Sequence, residues 1–528
     1  MQNGMDTSYI LALDHGTSGC KVALVNYNGE VVDFTVENTP THFYPGGGAE
    51  QDPQSWWDAF KISTKKLLQR QKGAANKIQA ISVSSTWSST VAVDQNGKAL
   101  MNSLIWMDSR GAPHVKKKVK GFPSHEGYSL SKLYKWVKLT GGIPTLSGKD
   151  DIAHMLLVKN EYPNIYAQTY KFLSSKDYLN LKLTGEFAAS YDSVMLFWVT
   201  DIRDINNIEY DNSLIKHLSI DRNKLPELKS STEILGNIVP KVAEELGLKE
   251  DVKVVMGSPD HQSALVGSGA VKDYEGHCYI GTSSWVECTV PYKKCDIFHA
   301  ITSLPSSIPG KYQCVNEQDI AGGNLSYLID NVKYLVAQQN KSNVMDNPYQ
   351  TINQLASQSP PGANKIIYTP WLNGERSPVD NSSLRGGLYN LSVNNNINDI
   401  IRSIFEGVAY NTRWNMEYVE RFTKRKFPEI ALIGGGGESP LWCQIFADVF
   451  NRTIVKVQEP VQANARGAAF IALVGLGEIS FNDVPELVRK DKFYYPQPGN
   501  RAIYDELYQE FLHVYKNNKR MFERLNKM

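Results

Sequence analysis

The sequence predicts an α/β fold in two large domains, and three observations carry that reading. Gly-Thr-Ser turns follow apolar runs twice, in Leu11-Ala-Leu-Asp-His-Gly-Thr-Ser-Gly-Cys-Lys21 and in Cys278-Tyr-Ile-Gly-Thr-Ser-Ser-Trp285. Strand-like and helix-like segments alternate along the chain rather than segregating. The chain has 528 residues, more than one hydrophobic core ordinarily holds.

The elements follow in order. Tyr9 to Phe34 reads as strand, hairpin and strand, with small hydroxyl residues at the first tip and an Asn28-Gly29 turn at the second. A Gly46-Gly47-Gly48 loop leads to Gln51-Asp52-Pro53, and a helix from Ser55 carries Trp56, Trp57, Phe60, Leu67 and Leu68 on one face. Ile78 to Ser84 reads as a buried strand, and Thr90 to Asp94 as a strand closing on Asn96-Gly97. The stretch from Phe122 to about Leu248 is helical and loop-rich, an elaboration of the first domain. Lys253 to Gly257 ends another strand, Ser258-Pro259-Asp260 is its loop, and a helix follows through Gly267. The second half repeats the plan from Cys278. Its clearest segment is Ile430 to Gly437, a strand with a four-glycine turn, followed by an amphipathic helix to Phe450. Val461 to Phe470 opens a small-residue helix suited to close packing. A last amphipathic helix runs from Tyr504, and its basic stretch from Lys516 to Lys527 reads as a solvated face.

Composition excludes several functions. Hydrophobic residues make up 42% and charged residues 21%, and the net charge is +1, which argues against nucleic acid as main partner. No run reaches the ~18 apolar residues of a membrane span, and no leader-type apolar segment precedes the first strand. The six cysteines and ten histidines are scattered without zinc-type spacing. A cytoplasmic protein with reduced thiols is expected.

The turns suggest phosphate chemistry. Glycine lets a phosphate approach the backbone, and Thr17 and Ser18 add hydroxyl donors. Asp14, at the end of its strand, suits hydrated magnesium, and Lys21 suits phosphate oxygens. No Walker-type Gly-x-x-x-x-Gly-Lys-Ser/Thr loop and no protein-kinase glycine loop is present. The glycines at 434–437 fit either a nucleotide-binding turn or tight packing, and they do not fit a dinucleotide fingerprint. Asp260 opens a helix, so it either caps that helix or serves as a general base. Trp87 either stacks on a ligand or belongs to the core.

Taken in order, Asp14-His-Gly-Thr-Ser-Gly, Gly257-Ser-Pro-Asp-His-Gln, Gly281-Thr-Ser, Gly374-Glu-Arg-Ser-Pro378, Gly434 to Asp448 and Gln462-Ala-Asn-Ala-Arg-Gly-Ala-Ala469 make nearly the whole chain resemble the FGGY carbohydrate kinases. The resemblance implies two actin-like, ribonuclease-H-like domains around a central cleft. An N-terminal sugar-binding domain spans 1–257 and a C-terminal nucleotide-binding domain spans 258–528. It implies transfer of the ATP γ-phosphate to a sugar or polyol hydroxyl. Asp260 matches the catalytic base and Asp14 the carboxylate near Mg2+. Thr17, Ser18 and Lys21 match the first phosphate turn, and Gly281 and Thr282 the second. Gly322, Leu325, Gly435 and Ser439 match positions around the adenosine. Lys176-Asp-Tyr-Leu, Leu183-Thr-Gly185 and Tyr494 to Gly499 are most similar to the xylulose-kinase branch. The acceptor side departs from it. That branch has Met-His, and glycerol kinases Arg-Glu, where this chain has Thr86-Trp-Ser88. His261 stands where the two branches have Asn and Gln. Trp87, Ser88 and His261 are therefore the candidate sugar-binding residues beside Asp260. D-xylulose leads, with ribulose, gluconate and polyols as alternatives, and an actin-like ATP-switching protein as the rival of another class. The resemblance leaves a homodimer open.

Overall fold

The computed structural model describes residues 8–339 and 347–526, without side-chain placement over 332–339. Lys527, the end of the basic tail, lies outside them. Two mixed sheets form the frame. The first has the order β5-β6-β4-β1-β2-β3, from β1 (Tyr9–Gly16), β2 (Gly19–Asn26), β3 (Val31–Asn38), β4 (Ile78–Ser85), β5 (Ile234–Asn237) and β6 (Lys253–Pro259). β1, β2 and β3 are antiparallel neighbours, while β4 runs parallel to β1 and β6 parallel to β4.

The second sheet repeats that plan. Its order is β9-β10-β11-β8-β7-β12-β13-β14, from β7 (Gly276–Ile280), β8 (Ser284–Val290), β9 (Cys295–Asp296), β10 (Ile301–Pro305), β11 (Tyr312–Val315), β12 (Glu429–Ile433), β13 (Thr453–Val457) and β14 (Lys490–Tyr494). β7, β8 and β11 are antiparallel, and β12 and β13 continue parallel to β7. The two Gly-Thr-Ser segments thus close topologically equivalent hairpins.

Burial explains the strand sequences. Along β1, Leu11 and Leu13 enter the apolar cluster that holds helix α1 (Pro53–Arg70), while Ile10 and Ala12 face a second cluster. β2 divides Val22 and Leu24 from Ala23 and Val25 in the same way. A period of two with both faces covered gives a continuous apolar run rather than a polar alternation. α1 begins two residues before the expected Ser55: the Asp52 side chain accepts from the Gln54 N–H at 2.9 Å, and Pro53 fills the first turn.

The second cluster joins strands of both sheets, and alanines crowd the helix contact at its middle. There helix α3 (Asp260–Ser268) crosses helix α7 (Ala463–Gly475). A Cβ on Gly267 would stand 1.8 Å from the Ala463 carbonyl oxygen, and one on Gly467 1.8 Å from that of Ser263. Only glycine permits this approach. The remaining helices used below are α2 (Ser175–Thr184), α4 (Gly323–Gln339), α5 (Ile397–Thr423), α6 (Pro440–Phe450) and α8 (Arg501–Leu525). The middle segment is mainly helical, and it adds the strand 171–173 to a further five-stranded sheet whose other strands, 42–44, 48–51, 89–93 and 103–105, precede it. All six cysteines are free thiols. Among the described residues no helix is long and apolar enough to cross a membrane.

Candidate active site

The first hairpin pairs Asp14 with Lys21 and Gly16 with Gly19, leaving Thr17 and Ser18 at the tip. Thr17 is held twice: its carbonyl accepts from Gln51 Nε2 at 2.7 Å, and its hydroxyl accepts from Trp106 Nε1 at 2.9 Å. Ser18 is exposed. The Lys21 ammonium lies 3.7 Å from the Asp14 carboxylate and donates to the Val461 carbonyl at 2.9 Å, reaching from the first sheet to the approach of α7. Burial raises the Asp14 carboxyl, against the pull of Lys21 and of a hydrogen bond from Asn464.

The second hairpin turns at 281–283, where the Gly281 N–H donates to the Ser283 carbonyl at 3.0 Å. The entry to α4 lies along this turn: the Ala321 N–H donates to Thr282 O at 2.7 Å and the Gly322 N–H to Gly281 O at 2.8 Å. Pairing of β7 with β12 brings the glycine turn alongside. Gly434 has φ of +82°, and a Cβ there would stand 2.6 Å from the Ile280 carbonyl oxygen, so both conformation and space demand glycine. Gly435 is different: no atom lies within 4 Å of the place a Cβ would take. Thr282 and Gly435 are exposed, whereas Leu325 is packed in the core. The Ser439 hydroxyl caps α6, accepting from the Trp442 N–H at 3.0 Å, and it donates to Asn353 Oδ1. The fold therefore gathers Gly281, Thr282, Gly322 and Gly435 at one end of the second sheet. It commits the side chains of Leu325 and Ser439 to packing and capping.

Asp260 emerges from the same edge of the first sheet as Asp14. Ser84 on β4 pairs with Asp14 on one side and Ser258 on the other, and Pro259 pairs with Ser85. An irregularity in β6 between Val255 and Ser258 precedes the turn into α3. Pro259 occupies the cap position, and no side chain caps this helix. Among the described residues Asp260 accepts only from the adjacent His261 N–H, at 3.0 Å. Capping, one of the two roles open to it from sequence, is therefore not what this carboxylate does. Burial pushes it up to about 7; Glu317 and Asp14 push the same way, and His261 opposes them.

Beside Asp260, the His261 ring stacks on Trp285 at 4.0 Å, and Trp285 stacks on Tyr279 at 4.0 Å. Trp87 lies on the other side, 5.6 Å away and tilted by 52°. Trp87 is half-buried, with its indole N–H 3.4 Å from the Ser193 carbonyl, so it packs against the core and touches His261 at once. Ser88, at φ +59°, is buried and donates to the Lys149 carbonyl at 2.5 Å.

Several residues here lie inside the quoted motifs but take no role of their own from sequence. Arg376, inside the Gly374 to Pro378 motif, lies 5.1 Å over the Trp106 ring. Its Nε donates to Asp319 at 2.8 Å, its Nη1 pairs with Glu317, and its buried Nη2 has no partner among the described residues. Glu375 accepts from the Asp319 and Arg376 N–H groups, both at 2.9 Å, pinning this loop to the segment after β11. Asn464, within the quoted 462–469 stretch, leaves a buried Oδ1 unpartnered near Asp14. No group of three or more His, Cys, Asp or Glu that would hold an ion by itself occurs among the described residues. The donor set, Asp14 with Asn464 beside it, fits an ion held mainly by phosphates and water, as magnesium usually is.

Residues 9–267 match the model of the FGGY family of carbohydrate kinases, N-terminal domain, and residues 276–476 match that of its C-terminal domain. The chain is similar to a xylulose kinase of Staphylococcus epidermidis, 28% identical over 97% of each chain. It is also similar to a gluconokinase of Bacillus subtilis, 25% identical over 96% of each. Its fold matches the crystal structure of ligand-bound xylulose kinase from Lactobacillus acidophilus with a TM-score of 0.83 at 23% identity, covering 98% of this chain and 100% of that one. The two-domain, actin-like and ribonuclease-H-like architecture is thus shared.

Proposed function

The chain belongs to the FGGY family of carbohydrate kinases, and from that premise we propose that this sugar kinase phosphorylates a ketopentose, D-xylulose, with Asp260 as general base. The observation that carries the assignment is a carboxylate at the start of α3 that caps nothing and leaves the same sheet edge as the first phosphate turn. Asp260 takes the proton of the acceptor hydroxyl as its oxygen attacks the γ-phosphorus of ATP. A carboxylate raised to about 7 holds that proton better than an ordinary one. Thr17, Ser18 and Lys21 from one hairpin, and Gly281 and Thr282 from the other, meet the phosphate oxygens. The Lys21 ammonium places a positive charge where negative charge is transferred. Adenosine lies along Gly322, Leu325, Gly435 and Ser439, with backbone rather than the Leu325 and Ser439 side chains facing it. Asp14 would hold magnesium through water, and the ion when bound supplies charge neutralisation at the phosphates.

D-xylulose is put first because the relatives named above include xylulose kinases. Gluconate is the second reading. The observation that favours it is the buried Glu287 carboxylate 2.8 Å from His261 Nδ1, which raises the imidazole to about 9 against burial and so favours a cation that suits a carboxylate in the acceptor. A panel of D-xylulose, D-ribulose, gluconate and polyols, scored by ADP release, separates these readings. D-xylulose is expected to give the highest kcat/KM. A higher value with gluconate replaces the first reading by the second, and ADP release independent of any acceptor points to an ATP-switching protein.

Trp87 is assigned to the sugar. Trp87→Ala should therefore raise the sugar KM or lower turnover by up to about tenfold. The ATP KM should stay within about twofold. A variant with normal sugar kinetics and a lowered melting temperature would make Trp87 core alone.

A further inference from the structure

Glu287, on β8, is fully buried, and its carboxylate is met by three hydrogen-bond donors, one of them the candidate sugar-binding His261. One oxygen accepts from His261 Nδ1 at 2.8 Å and from the Asn316 N–H at 3.2 Å; the other accepts from Gln313 Nε2 at 2.6 Å. That Gln313 amide also donates to the His261 carbonyl at 3.1 Å, so backbone and ring of the same residue are tied to one buried assembly. Among the described residues His261 is the only cation that pairs with Glu287. A buried carboxylate without a partner charge is costly, which favours the imidazolium over the neutral ring. With Nδ1 engaged, the other ring nitrogen, Nε2, has no hydrogen-bond partner among the described residues, although the ring stacks on Trp285 and has Trp87 5.6 Å away.

We propose that Glu287 is a positioning residue for sugar phosphorylation: bound to Nδ1 of His261, it fixes the ring between the two tryptophans and presents a charged Nε2–H to the sugar beside Asp260. Orientation of one ring nitrogen by a carboxylate on the other is a general device for setting which nitrogen donates. The groups facing His261 from its surroundings are Glu287 on β8, Asp260 on its own helix, Glu317 beyond β11, and the buried His277 on β7, which burial keeps neutral. Three carboxylates against one neutral imidazole leave the balance toward the cation. Burial opposes the charge, yet Glu287 carries the ring up to about 9. The cation is present below that pH and lost as pH rises through it.

The proposal rests on Asp260 being the base, and the test separates the two. The full chain is assayed with D-xylulose and saturating ATP as Glu287→Gln, His261→Gln, the double variant, and Asp260→Asn as control. Glu287→Gln is expected to lower kcat/KM for the sugar by ~10–100-fold. The ATP KM should hold within about twofold. The alkaline limb of the profile should move from near pH 9 toward the ordinary histidine value of 6.5. The double variant should be no worse than His261→Gln, because Glu287 acts through the ring. Should Glu287→Gln fail to fold, His261→Gln carries the test, and its profile should lack the alkaline limb. A parental profile in Glu287→Gln, additive losses in the double variant, or an alkaline limb retained in His261→Gln overturns the proposal. Turnover lost in Asp260→Asn with Glu287→Gln unaffected defeats this inference alone. Turnover kept in Asp260→Asn defeats the base assignment instead.

Discussion

Asp260→Asn is expected to lower turnover with sugar by ~10²–10⁴-fold while the protein folds and binds ATP as before. The structural cost is small, because the carboxylate caps no helix and among the described residues accepts only from the His261 N–H, from which an amide oxygen accepts equally well. The chemical cost is large, because an amide takes no proton from a hydroxyl. The pH dependence follows from the same environment. Burial first, then Glu317 and Asp14, raise the carboxyl from 3.8 to about 7, so kcat/KM should fall as pH drops below about 7. The folded value lies above the unfolded one. This group's contribution is therefore most favourable below pH 3.8 and is lost as pH rises through about 7. At pH 8 the parent thus carries an ionised carboxylate that the fold disfavours, and Asp260→Asn should melt at or above the parental temperature, an exchange of stability for activity. Calorimetry and steady-state rates at that pH check both halves of the argument. Near-parental turnover would remove Asp260 from the chemistry.

The hairpins were legible because local rules agreed there: apolar strands, small hydroxyl residues at the tips, and Asn28-Gly29 closing the next turn. Helix α1 was legible because the Trp56 to Leu68 face repeats at helical spacing, although Asp52 and Pro53 start it two residues before the expected Ser55. Other parts had no local signature. Helix α5 carries Ile401, Ile404, Phe405 and Val408 at helical spacing, but nothing local shows that it also buries Arg402, Glu406, Asn411, Arg413 and Asn415. Ser439 matched a nucleotide-side position by motif, and the same residue type is a natural helix cap; the fold uses its side chain as the cap. Trp106 and Arg376 meet although about half the chain separates them, and nothing in either neighbourhood predicts the other. Glu287 lies in a buried strand where a carboxylate reads as an anomaly until His261 is placed against it. Motifs revealed the groups that face the substrates, while the residues that hold those groups become visible only once the chain is folded.

Gly467→Ala carries the second large effect, on stability. The added carbon would stand 1.8 Å from the Ser263 carbonyl oxygen and 2.9 Å from the Gly267 nitrogen, both backbone atoms of α3. No rotamer relieves a Cβ, so the helices must move apart. Overpacking a close contact costs ~1–3 kcal/mol, and more where the obstructing atoms are backbone. For a folding unit of ~150–250 residues, a loss of ~3 kcal/mol lowers the melting temperature by roughly 6–12 °C. Activity should fall with it, because this crossing joins the two halves of the site. α3 begins with Asp260, α7 packs on β1, β4 and β6, and the segment entering α7 contacts Lys21 and Asp14 through Val461 and Asn464. Gly267→Ala meets the Ala463 carbonyl oxygen at the same 1.8 Å and should behave alike. Combined with Gly467→Ala it should cost less than the sum, since one separation of the helices relieves both clashes. Gly435→Ala is the internal contrast. Its Cβ meets nothing within 4 Å, so melting should stay near the parental value while the ATP KM rises if nucleotide lies against that backbone. Thermal melts of the four variants decide the matter. A Gly467→Ala protein that melts with the parent would mean that the two helices part without cost, and the crossing would then not be what sets Asp260 opposite the phosphate turns.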